Sequence, residues 1–150
     1  MDGEGQTPWR RKEITDGEWA GWTIWSPDAF ELHSGPFYAR RDASGEMVCA
    51  FRAEEKHMNG GGFMHGGCLM TFADYALFAI GDGALGDGGS VTASMNSEFI
   101  DGCVVGEMIE ARGEVVRAGG SLVFIRGKIT TGDRPLMTFS GIIKKVRRRG

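Results

Sequence analysis

The stretch NGGGFMHGGCLMTFADYALFAIG, Asn59 to Gly81, decides how the rest of the chain must be arranged. From Gly67 to Ile80, eleven of fourteen residues are Cys, Leu, Met, Phe, Ala, Tyr or Ile. A helix with that content is apolar nearly all round and has to be buried. Gly81-Asp82-Gly83 is where the sequence predicts that it stops. One residue does not fit such a helix: Asp74, set among Phe72, Ala73, Tyr75, Ala76 and Leu77. An ionised carboxylate removed from water without partners is costly, so Asp74 must be paired, wet or used. Taken by itself it reads more simply as a polar face at a subunit seam or a structural hydrogen bond.

His65-Gly66-Gly67 stands at the start of the same helix. The first N–H groups of a helix lack internal partners and carry partial positive charge, and glycine there lets a ligand come close to the backbone. Donors so placed suit a carbonyl oxygen that gains negative charge. The simpler reading is a glycine loop entering the helix, with His65 as a capping or core histidine. Spacing adds a constraint. Gly66 and Asp74 are eight residues apart, about 12 Å along one helix. One carbonyl cannot reach both on the same chain. Two antiparallel helices across a two-fold axis would bring Gly66 of one copy to Asp74 of the other. A site built from these residues therefore requires at least a dimer.

Outward from this helix the pattern changes to strands. Phe37–Arg41 and Glu46–Arg52 flank the turn-forming Asp42-Ala43-Ser44-Gly45 and predict a hairpin. After the helix come four alternating runs. Val91, Ala93, Met95 and Phe99 form one apolar face, and Ile109, Ala111 and Val115 the next. Val123, Ile125 and Ile129, then Met137, Phe139, Gly141 and Ile143, follow. Breaks at Asp101-Gly102, Gly119-Gly120 and Gly132-Asp133 read as tight turns in a four-strand antiparallel meander, wet on one face. The economical arrangement is an α+β fold in which the sheet curls around the one helix. Residues 1–34 read as an N-terminal arm with Trp9, Trp19, Trp22 and Trp25, part of it docked on the body or on a partner. Ser26-Pro27-Asp28 predicts a short helix with Ser26 as its capping hydroxyl.

Composition narrows the class. The 150 residues form a single domain over 1–150 with a core of its own. Seventeen Lys and Arg against 20 Asp and Glu, net charge −3, argue against nucleic-acid binding. The longest apolar stretch is interrupted by Asp74 and too short to span a membrane. Three scattered cysteines and an acidic start without an apolar segment lead us to expect a cytoplasmic protein. Gly81-Asp82-Gly83-Ala84-Leu85-Gly86 matches a dinucleotide fingerprint literally but follows a helix, and Asp82 and Asp87 would repel phosphate. His65-x-x-Cys68, with His33 and His57, lacks the second close pair that zinc requires, so no metal is expected. There is no G-x-S-x-G elbow.

Asn59, His65-Gly66-Gly67 and Asp74, placed ahead of a meander, resemble the signature of hotdog-fold acyl-CoA thioesterases of the phenylacetate-pathway, PaaI-like type. By element order the resemblance runs from Phe37 to Lys145. It implies hydrolysis of acyl-CoA to free acid and coenzyme A, with coenzyme A entering as part of the substrate and no separate cofactor. It implies that the Gly66 amide polarises the thioester carbonyl and that Asn59 and His65 position that group or the water. Asp74 from the facing subunit would be general base or nucleophile, and Thr92 would help hold the water. Arg117, Gly119, Gly120 and Ser121 match the turn that contacts coenzyme A, although relatives often carry Lys or Arg where this chain has Gly120. The implied assembly is a homodimer or a dimer of dimers. Phe63, Met64, Met70, Phe72, Tyr75 and Phe78 serve either the core or an acyl pocket. A rival reading is a non-catalytic acyl-CoA-binding module, a sensor or carrier; Asp74 with Asn59 favours the enzyme. A dehydratase or hydratase would need a His–Asp or His–Glu pair that the sequence lacks.

Overall fold

The computed structural model describes residues 10–26 and 28–146. In chain order its elements are β1 (Arg10–Glu13), β2 (Thr23–Ser26), α1 (Ala29–Ser34), β3 (Tyr38–Arg41), β4 (Met47–Arg52), α2 (Gly66–Leu85), β5 (Ser90–Phe99), β6 (Met108–Ala118), β7 (Leu122–Thr131) and β8 (Arg134–Lys145). A single 3-10 turn, Glu55–His57, precedes α2. All eight strands join one antiparallel sheet in the order β1-β2-β3-β4-β6-β7-β8-β5. The sheet wraps around α2, whose Leu69, Phe72, Ala73, Ala76, Leu77 and Ala79 are buried against Phe51, Ile109, Ile125, Ile129, Met137 and Ile143. This is the arrangement expected from a greasy helix beside half-wet strands.

Several expectations need correction. Asp28, not Ser26, caps α1: its side chain accepts from the Glu31 N–H at 3.0 Å. Ser26 belongs to β2, and Pro27 and Trp9 lie outside the described residues. Gly81-Asp82-Gly83 does not end α2, which continues to Leu85 and stops at Gly86, where φ is +68°. Gly81 serves packing: a Cβ there would lie 2.6 Å from Ile125 Cδ1, so glycine lets the helix press against β7. The last four strands are not a simple meander. β5 leaves the helix for the far edge, beside β8, and residues 100–107 cross back to β6. Asp101-Gly102 is thus part of a long crossing, held by Arg134 through Asp101, Glu107 and the Gly102 carbonyl.

The alternation of β5 also breaks. Its register slips between Thr92 and Ser94, leaving Ala93 as a bulge against β8. A bulge moves one residue out of the ladder and reverses the parity of those beyond it. Thr92, Met95 and Ser97 therefore turn inward, while Val91 is 49% exposed; Phe99, on the same face as Met95, ends the strand over Gly66 and is 58% exposed. In β6, Val115 likewise sits at a register slip and is exposed rather than buried.

The arm docks on the body. β1 and β2 extend the sheet, Trp22 is buried, and Trp19 stacks on Tyr38 with ring centres 4.0 Å apart. α2 is not covered all round: Gly67, Thr71, Asp74, Phe78 and Asp82 recur along one stripe that its own sheet leaves open.

Candidate active site

Asp74 sits on that open stripe, half-buried, and the bulge in β5 brings Thr92 to it. The Thr92 hydroxyl donates to Asp74 Oδ1 at 2.6 Å. The carboxylate is therefore paired through one oxygen. A cavity of about 510 Å³ opens over it, with Trp25, Glu31, Phe78, Leu85, Val91 and Thr92 among its walls. A neighbouring cavity of about 400 Å³ continues along the stripe past Asp74, Met70, Thr71 and Met95 to Phe30. Trp25 brings the arm into the site and is backed by Arg11, whose guanidinium carbon lies 4.5 Å from the ring centre. Arg11 in turn reaches Asp82 at 3.7 Å.

The other motif residues gather at the N-terminal end of α2, about 12 Å along the helix from Asp74. His65 is its N-cap, and Nδ1 accepts from the Gly67 N–H at 2.8 Å, which is the capping role. Gly66 is the first helical residue, and its N–H has no acceptor among the described residues. The Phe99 ring edge lies over it, 3.2 Å from where a Cβ would be. Asn59 is spent largely on its own loop: Oδ1 accepts from the N–H groups of Gly61 at 2.8 Å and Phe63 at 3.2 Å. Its part is to shape the approach to His65. Within one chain, then, Asp74 and Thr92 come together, and His65 and Gly66 adjoin at the helix start, eight residues away along α2. Asn59 pairs with Phe63 in the preceding loop and makes no hydrogen bond to His65 or Gly66.

Arg117 is the second-last residue of β6, and Gly119, Gly120 and Ser121 form the β6–β7 turn, closed by the Gly119 N–H donating to the Leu122 carbonyl at 2.8 Å. Arg117 is exposed, and a Cβ on Gly120 would meet nothing within 4 Å. The turn shares an end of the sheet with Thr92, because Ala118, Val123, Ile143 and Thr92 are successive cross-strand partners. Of the apolar candidates, Met64, Phe72 and Tyr75 are core, Met70 and Phe78 line the cavities, and Phe63 is exposed.

Two residues that sequence reasoning passed over shape the site. His57 is buried; Nδ1 accepts from the Glu54 N–H at 2.9 Å and Nε2–H donates to the Ser34 carbonyl at 2.7 Å. Burial lowers its pKa, which keeps it neutral and ties the loop before α2 to the end of α1. Glu31 faces both cavities with Asp74, and burial, then the charges of Asp28 and Asp74, push its carboxyl up to about 8. Cys68, despite its place near a helix start, is no thiolate: burial pushes it up to about 11. Among the described residues, no three His, Cys, Asp or Glu side chains cluster as metal ligands.

One helix sheathed by an antiparallel sheet, with a carboxylate on its bare stripe and glycines at its start, defines a hotdog-type domain. Solved structures agree. The PaaI protein of the Escherichia coli phenylacetic acid degradation operon superposes with a TM-score of 0.68, 19% identity, over 81% of this chain and 86% of its own. A Streptococcus pneumoniae thioesterase protein solved with coenzyme A superposes at 0.68, 17% identity, over 79% and 93%. The model of the Thioesterase superfamily matches residues 61–138, more than half of the chain, and the chain belongs to that family of thioester hydrolases. A Pseudomonas aeruginosa protein bearing an esterase name, PA0474, is 34% identical over 109 residues, 72% of this chain and 81% of that one. Human acyl-coenzyme A thioesterase 13 is 32% identical over 105 residues, 67% and 72% respectively. Gly66, Asp74, Thr92 and the Arg117–Ser121 turn fall inside the matched span; Asn59 lies two residues ahead of it.

Proposed function

We propose that this chain hydrolyses acyl-CoA thioesters in a site completed by a second copy of itself. The observation that carries the reading is Asp74: a carboxylate on the bare stripe of α2, held through Oδ1 by Thr92, with a cavity above it. In this reading the Gly66 N–H of one copy polarises the thioester carbonyl, and Asp74 of the facing copy drives the attack. As general base, Asp74 takes a proton from water while the water oxygen bonds to the carbonyl carbon. The carbonyl oxygen gains the negative charge, stabilised by the helix-start N–H. The C–S bond then breaks, and coenzyme A departs as a thiolate that takes up the proton. As nucleophile, Asp74 would bond to the carbonyl carbon itself and be released by water afterwards. Oxygen-18 entering Asp74 in a single turnover in labelled water separates the two.

His65 and Asn59 would position the carbonyl end, and Arg117, Gly119, Gly120 and Ser121 the coenzyme A end. The bare stripe of α2 and the exposed Val91 and Phe99 of the edge strand β5 favour a homodimer, or a dimer of dimers. The acyl-CoA thioesterase and coenzyme-A-bound thioesterase among the relatives support the substrate class. The test is free-thiol release across short, long, branched and aromatic acyl-CoAs, with Asp74→Asn alongside. The variant is expected to lose roughly 100- to 10,000-fold in rate. Binding of acyl-CoA without thiol release by the wild type would replace this reading with that of a sensor or carrier.

A further inference from the structure

α1 is put together the wrong way round for a helix that merely packs. Its apolar side chains face out, Phe30 at 63% and Leu32 at 43% exposed, while Glu31 between them turns inward. The orientation is fixed at both ends. Asp28 caps the start through the Glu31 N–H, and at the other end Lys56 Nζ donates to the His33 carbonyl at 3.0 Å and His57 Nε2–H to that of Ser34 at 2.7 Å. So pinned, Glu31 lines both cavities in which Asp74 stands.

We propose that Glu31 is a positioning residue of the site: it holds a proton while the site works, so that Asp74 faces a carboxylic acid and not a second carboxylate. The proposal rests on the reading of Asp74 given above. Asp28 spends its Oδ1 on the α1 cap, accepting from the Glu31 N–H. Of the other titratable groups around Glu31, His33 is exposed on α1, Asp82 and Asp87 line the far part of the larger cavity, and Cys49 and Tyr75 lie behind it. Arg11 pulls against the burial that raises Cys49 and Tyr75, so a cation does lie on that side; it stacks on Trp25 and comes to 3.7 Å from Asp82, with Nε and Nη2 otherwise unpartnered among the described residues. Among those residues, what bears most on Glu31 is its burial and the charges of Asp28 and Asp74, and Glu31 makes no ion pair with a cation. In the transition state negative charge passes from Asp74 to the carbonyl oxygen, so the reacting groups carry one negative charge throughout. A neutral Glu31 tolerates that charge, whereas an ionised one beside Asp74 raises its energy.

The experiment uses the full chain. kcat/KM is measured from about pH 6 to 10 with whichever acyl-CoA the wild type hydrolyses best, for wild type and Glu31→Gln. In parallel, the Glu31 carboxyl carbon is titrated by NMR in wild type and in Asp74→Asn. The proposal expects a wild-type rate that falls roughly tenfold on the alkaline side with its midpoint near the Glu31 value of about 8, and a Glu31→Gln profile without that fall. It also expects the Glu31 midpoint to move down when Asp74 loses its charge. The same alkaline fall in Glu31→Gln, or a Glu31 midpoint in the ordinary carboxylate range that ignores Asp74→Asn, overturns it. If no acyl-CoA is turned over, the reading of the site fails, and the titration alone still upholds or overturns the coupling of the two carboxyls.

Discussion

Thr92 gives Asp74 its hydrogen bond, and the value of that bond can be read out directly. A hydrogen bond to a charged group contributes about 1.5–3 kcal/mol. If part of it is needed to aim the carboxylate, Thr92→Val should lower kcat roughly tenfold with little change in KM, and Thr92→Ser should restore most of it. Glu31 makes a second prediction at this scale. Its carboxyl moves from an ordinary 4.5 to about 8 in the fold, so between those values the native state holds a proton that the unfolded chain has released. Stability must then fall as pH rises through that window and level off above it. Urea midpoints measured across it should show the decline in wild type and lose it in Glu31→Gln. Asp74 was legible in the sequence because a carboxylate amid Phe72, Ala73, Tyr75 and Leu77 is an anomaly that demands a cause. Glu31 was not, because an acid between Phe30 and Leu32 reads as the solvent side of a helix whose neighbours go inside. Only the pinning of α1 by His57 and Lys56 reverses that face.

Among the elements, α2 and the hairpin of β3 and β4 followed from the residue pattern, because burial and turn chemistry act locally. The end of α2 and the parity of β5 did not. Gly81 resembles a stop signal, yet its missing side chain answers to Ile125 on a strand forty-four residues later, which no local rule sees. The bulge at Ala93 is likewise a property of pairing with β8, and it alone carries Thr92 to Asp74. The β6–β7 turn offers a gain-of-function test. Gly120 has open space around a would-be Cβ, and its φ is not in the left-handed region. Gly120→Lys should thus fold normally and lower KM for acyl-CoA several-fold, an effect that shrinks with added salt because exposed charges are screened. By contrast, Gly113 faces Gly127 across β6 and β7, and a Cβ on it would come within 3 Å of the β7 backbone. Gly113→Ala should reduce stability by about 1–3 kcal/mol, visible in the denaturation midpoint.

In the proposed reading, one chain carries two half-sites about 12 Å apart on a rod, one at its start and one near its middle. The helix start with Gly66, His65 and Asn59 belongs to one, and Asp74 with Thr92 to the other. The eight-residue spacing requires a second copy if these residues are to act on one carbonyl, and in the proposed dimer that copy would lie against the bare stripe of α2. Gly66 permits a substitution that removes its donor and asks only that the Phe99 ring edge, 3.2 Å from the would-be Cβ, give way slightly. It is the first residue of α2, where proline is favoured, and His65 has the extended ψ of 134° that a following proline prefers. Gly66→Pro should therefore fold, with α2 intact, and lose about 100- to 1,000-fold in rate. The most direct measurement is to co-refold equal amounts of Gly66→Pro and Asp74→Asn chains, each inactive as a homodimer, and assay thiol release. A site shared between copies restores one intact site in each mixed dimer, about one quarter of wild-type activity for random pairing. Activity no higher than the residual rates of the two parents would contradict a site built from both copies.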